Sequence, residues 1–212
     1  MFPTTLSKGI EQAFATPATM SRRAGAGETG NAALDHCTTN VSPVRLIFFC
    51  GKMAAGKSTL ARTLAQRENA VLLVQDELLD ALYPDEIRDI PDFARCASRL
   101  RDALEPHVCV LLARGISVVL DFPANTPVQR AWFRRMFERA GVAHELHFID
   151  APDALCKLQL AHRSRHLPSG TPWTTEAEFD AITAYFIAPS DDEEFNVVRH
   201  GGAGRPLLRL PG

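Results

Sequence analysis

The chain has 212 residues, 46% of them hydrophobic and 23% charged; its 23 Lys and Arg against 25 Asp and Glu leave a formal charge of −2. That is about one domain of chain with enough apolar matter for a core, and its charge is too balanced for a general polyanion binder. The longest near-apolar run, Val108 to Leu120, is broken by Arg114, Gly115 and Ser117 and is too short to span a bilayer as a helix. Five scattered cysteines, Cys37, Cys50, Cys96, Cys109 and Cys156, form no CxxC pair. They read as small core residues of a reducing compartment, so a cytoplasmic location is expected. His162 and His166, with Cys156 nearby, are read without a metal, because no zinc-type spacing joins them.

Residues 1–43, rich in Ala, Thr and Gly, are expected to be a disordered N-terminal extension. No basic start precedes an apolar block, so no secretory signal is read; Arg22 and Arg23 among Thr and Ser leave a transit peptide open. From Val44 onward apolar runs alternate with helical patterns. Val44–Cys50 predicts a buried strand ending at Gly51, Lys57 to Arg67 a helix, and Val71–Val74 a second strand. Phe93, Cys96, Ala97, Leu100 and Leu104 follow helical spacing after Pro91-Asp92, and Pro106 is expected to kink or restart that helix. Ser117–Asp121 predicts the third strand, and Thr126-Pro127 an N-cap with proline opening a helix to Ala140. Glu145–Ile149 predicts a fourth strand, Pro152 to Arg163 a helix, and Thr175–Glu178 a capping box for a helix carrying Phe179, Ile182 and Phe186. Phe195–Val198 completes the set, and residues 201–212 are expected to be a flexible tail. Alternating strands and helices call for a parallel sheet covered on both faces.

The sharpest motif is Gly51-Lys52-Met53-Ala54-Ala55-Gly56-Lys57-Ser58-Thr59, a full GxxxxGK[ST] loop between a strand and a helix. Its glycines let the backbone wrap closely round phosphates, with N–H groups pointing inward at a helix N-terminus. Gly51, Ala54, Ala55, Gly56, Lys57, Ser58 and Thr59 are the expected nucleotide-binding residues. Lys57 would reach the β- and γ-phosphates, the Ser58 hydroxyl would ligate Mg²⁺, and Thr59 would touch the α-phosphate.

Further pieces follow in order: Gln75-Asp76-Glu77 after the second strand, Val118–Phe122 with Asn125, His162-Arg163-Ser164-Arg165, and Glu178–Phe186 with Pro189. With these, residues 44–200 resemble the P-loop kinases of the adenylate-kinase-like group. The likeness is greatest to AAA-type kinases related to zeta toxins, chloramphenicol phosphotransferase and polynucleotide kinase. The resemblance implies a five-stranded α/β fold in the order 2-3-1-4-5 with a short lid, and transfer of a phosphoryl group from ATP with Mg²⁺ to a hydroxyl. It makes Asp76 the candidate general base, against the alternative of a helix N-cap, with Asp80 a second candidate one turn later. Asp121 is expected to hold Mg²⁺ or to face the acceptor, and Asn125 to contact substrate or simply to make a turn. Arg163 and Arg165 are the candidate lid arginines, or else charges complementing a helix C-terminus. Leu167–Pro172 would be the lid, with Trp173 as a ring platform.

Arg95 and Arg99 share a helical face, read as solvated in preference to a site for an acidic or phosphorylated acceptor. Arg130, Arg134 and Arg135 are read as surface residues, and Trp132 and Phe133 as packing. The acceptor is expected to be a small metabolite or antibiotic, a nucleotide sugar or a polynucleotide 5′-OH. The want of a basic surface weighs against the last. Two other classes stand beside this one. An NTP-hydrolysing switch or ATPase without an acceptor would carry a second acid after Asp121, where Phe122 stands. A module that binds without chemistry would not need Lys57, Ser58, Asp76 and Asp121 together.

Overall fold

A computed structural model describes residues 43–165 and 175–201. The expected N-terminal extension and C-terminal tail, but for one residue each, lie outside the described residues, as do His166, the loop 167–172 and Trp173. Five strands, β1 (Arg45–Cys50), β2 (Val71–Val74), β3 (Val118–Pro123), β4 (Ala143–Ile149) and β5 (Val197–His200), form one all-parallel sheet in the order β2-β3-β1-β4-β5. The helices are α1 (Lys57–Arg67), α2 (Gln75–Leu82), α3 (Ile90–Ala113), α4 (Pro127–Ala140), α5 (Asp153–Ser164) and α6 (Glu176–Thr183), with a 3-10 turn at Asp191–Glu193.

β1 is the central strand, and Leu46 through Cys50 are wholly buried. A parallel strand covered on both faces reads as a continuous apolar run for this reason. The strand's two-residue period sorts its side chains. Leu46, Phe48 and Cys50 join the larger core beneath α3 and α4, while Ile47 and Phe49 pack with Ala61, Leu64 and Ala65 of α1. Phe48 and Phe133 stack with centroids 4.3 Å apart. Truncating such a buried Phe costs roughly 3–5 kcal/mol. A third cluster, with Ala54, Ala55, Cys156, Leu160 and Phe179, supports the Gly51–Thr59 loop from below through α5 and α6. Trp132 and Phe133 pack as expected, and Cys50, Cys96, Cys109 and Cys156 are buried free thiols. Among the described residues no helix is long and apolar enough to cross a membrane.

The expected caps are present: Thr126 accepts from the Gln129 N–H, and Thr175 and Glu178 close a full capping box. Four expectations are corrected. Pro106 does not restart a helix, since α3 continues as one helix through it. Its missing N–H orphans the carbonyl four residues back, at exposed Asp102, where water can satisfy it, while Leu100, Val108, Cys109 and Leu112 hold both halves to the core. Phe186 lies beyond the end of α6, and β5 begins at Val197 rather than Phe195.

Arg130 is not a surface residue. Its side chain is fully buried, and its Nε and Nη2 each donate to Glu193 at 2.7 Å. Its Nη1 donates to the carbonyls of Ala124 (3.0 Å) and Ile187 (2.9 Å). Helical spacing correctly put Arg134 and Arg135 at the periphery but could not reveal that the 187–193 segment folds over Arg130. Burying a guanidinium is tolerable only with its donors satisfied, as they are here.

Candidate active site

The loop from Gly51 to Gly56 leaves the C-terminal end of β1 and turns into α1. A Cβ on Gly51 would sit 2.9 Å from the Ile149 carbonyl oxygen, so β4 approaches too closely for a side chain. Gly56 closes the loop at φ 99°, a left-handed conformation that costs glycine little. The loop's entry is braced from outside: Asn125 Oδ1 accepts from the Gly51 N–H at 2.9 Å, while the Asn125 N–H donates to Gln129 Oε1 at 2.8 Å. The Asn125 carbonyl accepts from the Ile187 N–H at 2.9 Å. Asn125 is therefore a strut for the loop as well as part of the cavity wall.

Above the loop lies a cavity of about 250 Å³. Ala54, Ala55, Gly56, Lys57 and Ser58 form its floor, and Asp76, Asp121, Asn125 and Arg163 stand round it. β2 and β3 pair so that Val74 is opposite Asp121, which brings the start of α2 beside the end of β3. The carboxylates of Asp76 and Asp121 thus meet over the sheet's C-terminal edge, where open α/β sheets bind ligands. Arg163 reaches the same space from the last turn of α5. Gly51 is buried and does not line the cavity, nor do the exposed Thr59, Asp80 and Arg165. Arg95 pairs with Asp92 at 2.6 Å and Arg99 is exposed, both away from the cavity.

Lys57 Nζ donates to the carbonyls of Gly51 and Lys52, each at 2.7 Å. Burial pushes its pKa down, with Asp121 the largest opposing influence. An ammonium held this way gains from any anion that enters beside it. Asp76 is not a helix cap: α2 already begins at Gln75, and its N-cap is Val74, which makes no side-chain cap bond. The open surface of Asp76 faces the cavity, and the walls that desolvate its carboxyl raise its pKa. Asp121 and Asp80 push in the same direction, while Lys57 and Arg163 oppose them.

The rest of the wall was not foreseen from the sequence as part of the site. Met53, Gln75, Ile90 with Phe93, Phe122 with Pro123, and Ile182 come from five separate stretches of chain. Gln75 is adjacent to the foreseen Asp76 and was open to notice; the apolar residues carry no local signal that separates them from core.

A parallel sheet in this order, with a GxxxxGK[ST] loop after its central strand, is the fold of the P-loop kinases of the adenylate-kinase-like group. A family model described as an AAA domain matches residues 46–189, and the chain belongs to that family. None of the curated proteins matches the sequence. Among solved structures, one similar protein comes from Chloroflexus aurantiacus and is assigned as a kinase: 17% identity, TM-score 0.56, covering 74% of this chain and 88% of that one. Another is a sugar kinase from Janibacter, with 18% identity and TM-score 0.54, covering 74% of this chain and 86% of the other. These likenesses concern the fold.

Proposed function

We propose that the protein is a cytoplasmic kinase that transfers the γ-phosphoryl group of ATP, with Mg²⁺, to a hydroxyl of a small molecule. One observation carries the reading: the loop residues Ala54 to Ser58, a candidate base (Asp76), a candidate metal ligand (Asp121) and a cation (Arg163) line one cavity. An ATPase would carry its second acid directly after Asp121, where Phe122 stands. The free buried thiols suit a reducing compartment, and a sugar kinase built on the same fold is in keeping with a small acceptor.

The Ser58 hydroxyl and the Asp121 carboxylate are hard oxygen donors on the same cavity, and Asp121 makes no ion pair with a described residue, so the pair fits Mg²⁺. Bound there, the ion neutralises charge on the phosphate oxygens. Lys57 exchanges its two loop carbonyls for phosphate oxygens, supported by the loop's N–H groups. Thr59, one residue further on, is left for the α-phosphate. Asp76 orients the acceptor hydroxyl and takes its proton as the oxygen bonds to the γ-phosphorus and the bond to ADP breaks. The raised pKa of Asp76 makes it a stronger base than an ordinary carboxylate. Arg163 offsets the charge that spreads over the γ-oxygens; Arg165 takes this part only if the chain beyond α5 turns it inward.

Labelled ATP incubated with Mg²⁺ and a pooled metabolite extract tests this. A labelled product made by the wild type and lost with Asp76→Asn is expected. Release of free phosphate that is indifferent to the extract would favour the ATPase reading instead.

A further inference from the structure

Resting on that kinase reading, we infer that the acceptor is an uncharged alcohol with an apolar face and a second hydrogen-bond donor, and that Gln75 is the residue that receives this donor. Two independent features of the cavity lead there. The first is its charge. Among the described residues the only cations lining it are Lys57 and Arg163, and they are matched by Asp76 and Asp121. All four have work to do on ATP, its metal and the reacting hydroxyl. An acceptor bearing a phosphate or carboxylate would find no spare cation and would bring negative charge beside two carboxylates and the triphosphate. Burying an unpaired charge is strongly unfavourable.

The second feature is the wall opposite the loop. Ile90 and Phe93 from the first turn of α3, Phe122 from β3 and Ile182 from α6 present apolar surface. Set into this wall is Gln75, 2% exposed, whose Oε1 is buried with no hydrogen-bond partner among the described residues. A buried acceptor without a partner is costly, and native folds rarely keep one without a use. Gln75 lines the cavity, so rotation of its terminal amide about χ3 would bring the oxygen to a bound molecule. That oxygen accepts hydrogen bonds and repels anions, in agreement with the charge census. Asn125, the other neutral polar residue on the wall, has its Oδ1 committed to the Gly51 N–H.

The test begins with a metabolite extract passed over anion and cation exchangers to give anionic, cationic and uncharged fractions. Each is incubated with the full chain, labelled ATP and Mg²⁺. Label entering a product from the uncharged fraction is the expected result. Label arising solely from a charged fraction overturns the acceptor class while leaving the kinase reading intact, whereas no product from any fraction overturns the kinase reading itself. Gln75→Leu is then titrated with dilutions of the productive fraction. The half-saturating acceptor concentration is expected to rise about tenfold, the loss of one hydrogen bond, with KM for ATP within about twofold of wild type.

Thermal melting separates a binding role from a structural one. Replacing an unsatisfied buried acceptor by an apolar group of similar size leaves Tm unchanged or raised. An unaltered acceptor titration, or a steep fall in Tm, would remove Gln75 from the acceptor site.

Discussion

The two sides of the cavity are built in opposite ways. The phosphate side is one uninterrupted segment, Gly51 to Thr59, whose groups are aimed by backbone geometry. The facing side is assembled from α2, α3, β3 and α6, and its groups are aimed by packing. A backbone site tolerates little change of sequence but is indifferent to what encloses it. A packed wall accepts many sequences and so can be fitted to many acceptors. On the proposed reading, phosphate binding sits on the first side, and the candidate base Asp76 and acceptor selectivity on the second.

Substitutions on each side separate these contributions. Lys57→Met is expected to have the largest effect, a fall in transfer of about a thousandfold with Tm unchanged or raised. Among the described residues the lost ammonium is bonded only to loop carbonyls, and it is desolvated, so the fold is not expected to depend on it. Transfer kinetics beside thermal melting checks both halves. Asp76→Asn, on the facing side, is expected to lower transfer by about a hundredfold or more while ATP affinity stays near normal. Its pH profile sharpens the comparison. The carboxylate must be ionised to take a proton, and its pKa is raised above the ordinary 3.8, first by desolvation. Wild-type transfer thus falls as pH drops through that raised value, an inflection that the Asn variant loses.

Arg130→Met addresses the support shared by both sides. It strips donors from Glu193 and from the carbonyls of Ala124 and Ile187. A loss of about 3 kcal/mol in urea unfolding is expected, with a smaller change in ATP affinity. If ATP affinity fell as far as stability, the loop would not be the self-contained unit described above.

The smallest effect concerns β4 and β5, where His147 and His200 stack on one face of the sheet and His144 packs against Phe137 on the other. Burial pulls all three below the ordinary 6.5, and Arg134 adds to this at His144. His147 Nδ1 lies 2.7 Å from His200 Nε2, an arrangement that cannot take a proton on every ring nitrogen. Between the folded and unfolded pKa values the unfolded chain binds more protons. Stability is therefore full above about pH 6.5 and declines as pH falls below it. Urea midpoints at about pH 8 and about pH 5.5 measure this, and His147→Phe is expected to reduce the difference.

Legibility in the sequence followed the range of the interactions concerned. The order of strands and helices, the Thr126 and Thr175 caps and the Gly51–Thr59 loop were readable because each rests on neighbours within a few residues. Asp76 was readable as a candidate, but its freedom from capping was not, because α2 starts at Gln75, two residues before the Glu77 start that a cap at Asp76 would require. Arg130 was misread because its partner Glu193 is 63 positions away. Asn125 was left between substrate contact and turn, and the Gly51 N–H that it holds lies across the sheet.

The sequence by itself determined a parallel α/β sheet, a phosphate-binding loop and the residue types that phosphoryl transfer uses, since periodicity, turn chemistry and helix capping are local and act wherever the pattern occurs. Only the tertiary structure decided which of those residues share a cavity, that Arg163 lines it and Arg165 does not, and that Gln75 lines it with a buried acceptor unpartnered among the described residues. Side chains far apart in the chain are brought together by the burial of apolar surface, which specifies that cores meet but leaves no local mark of what they enclose.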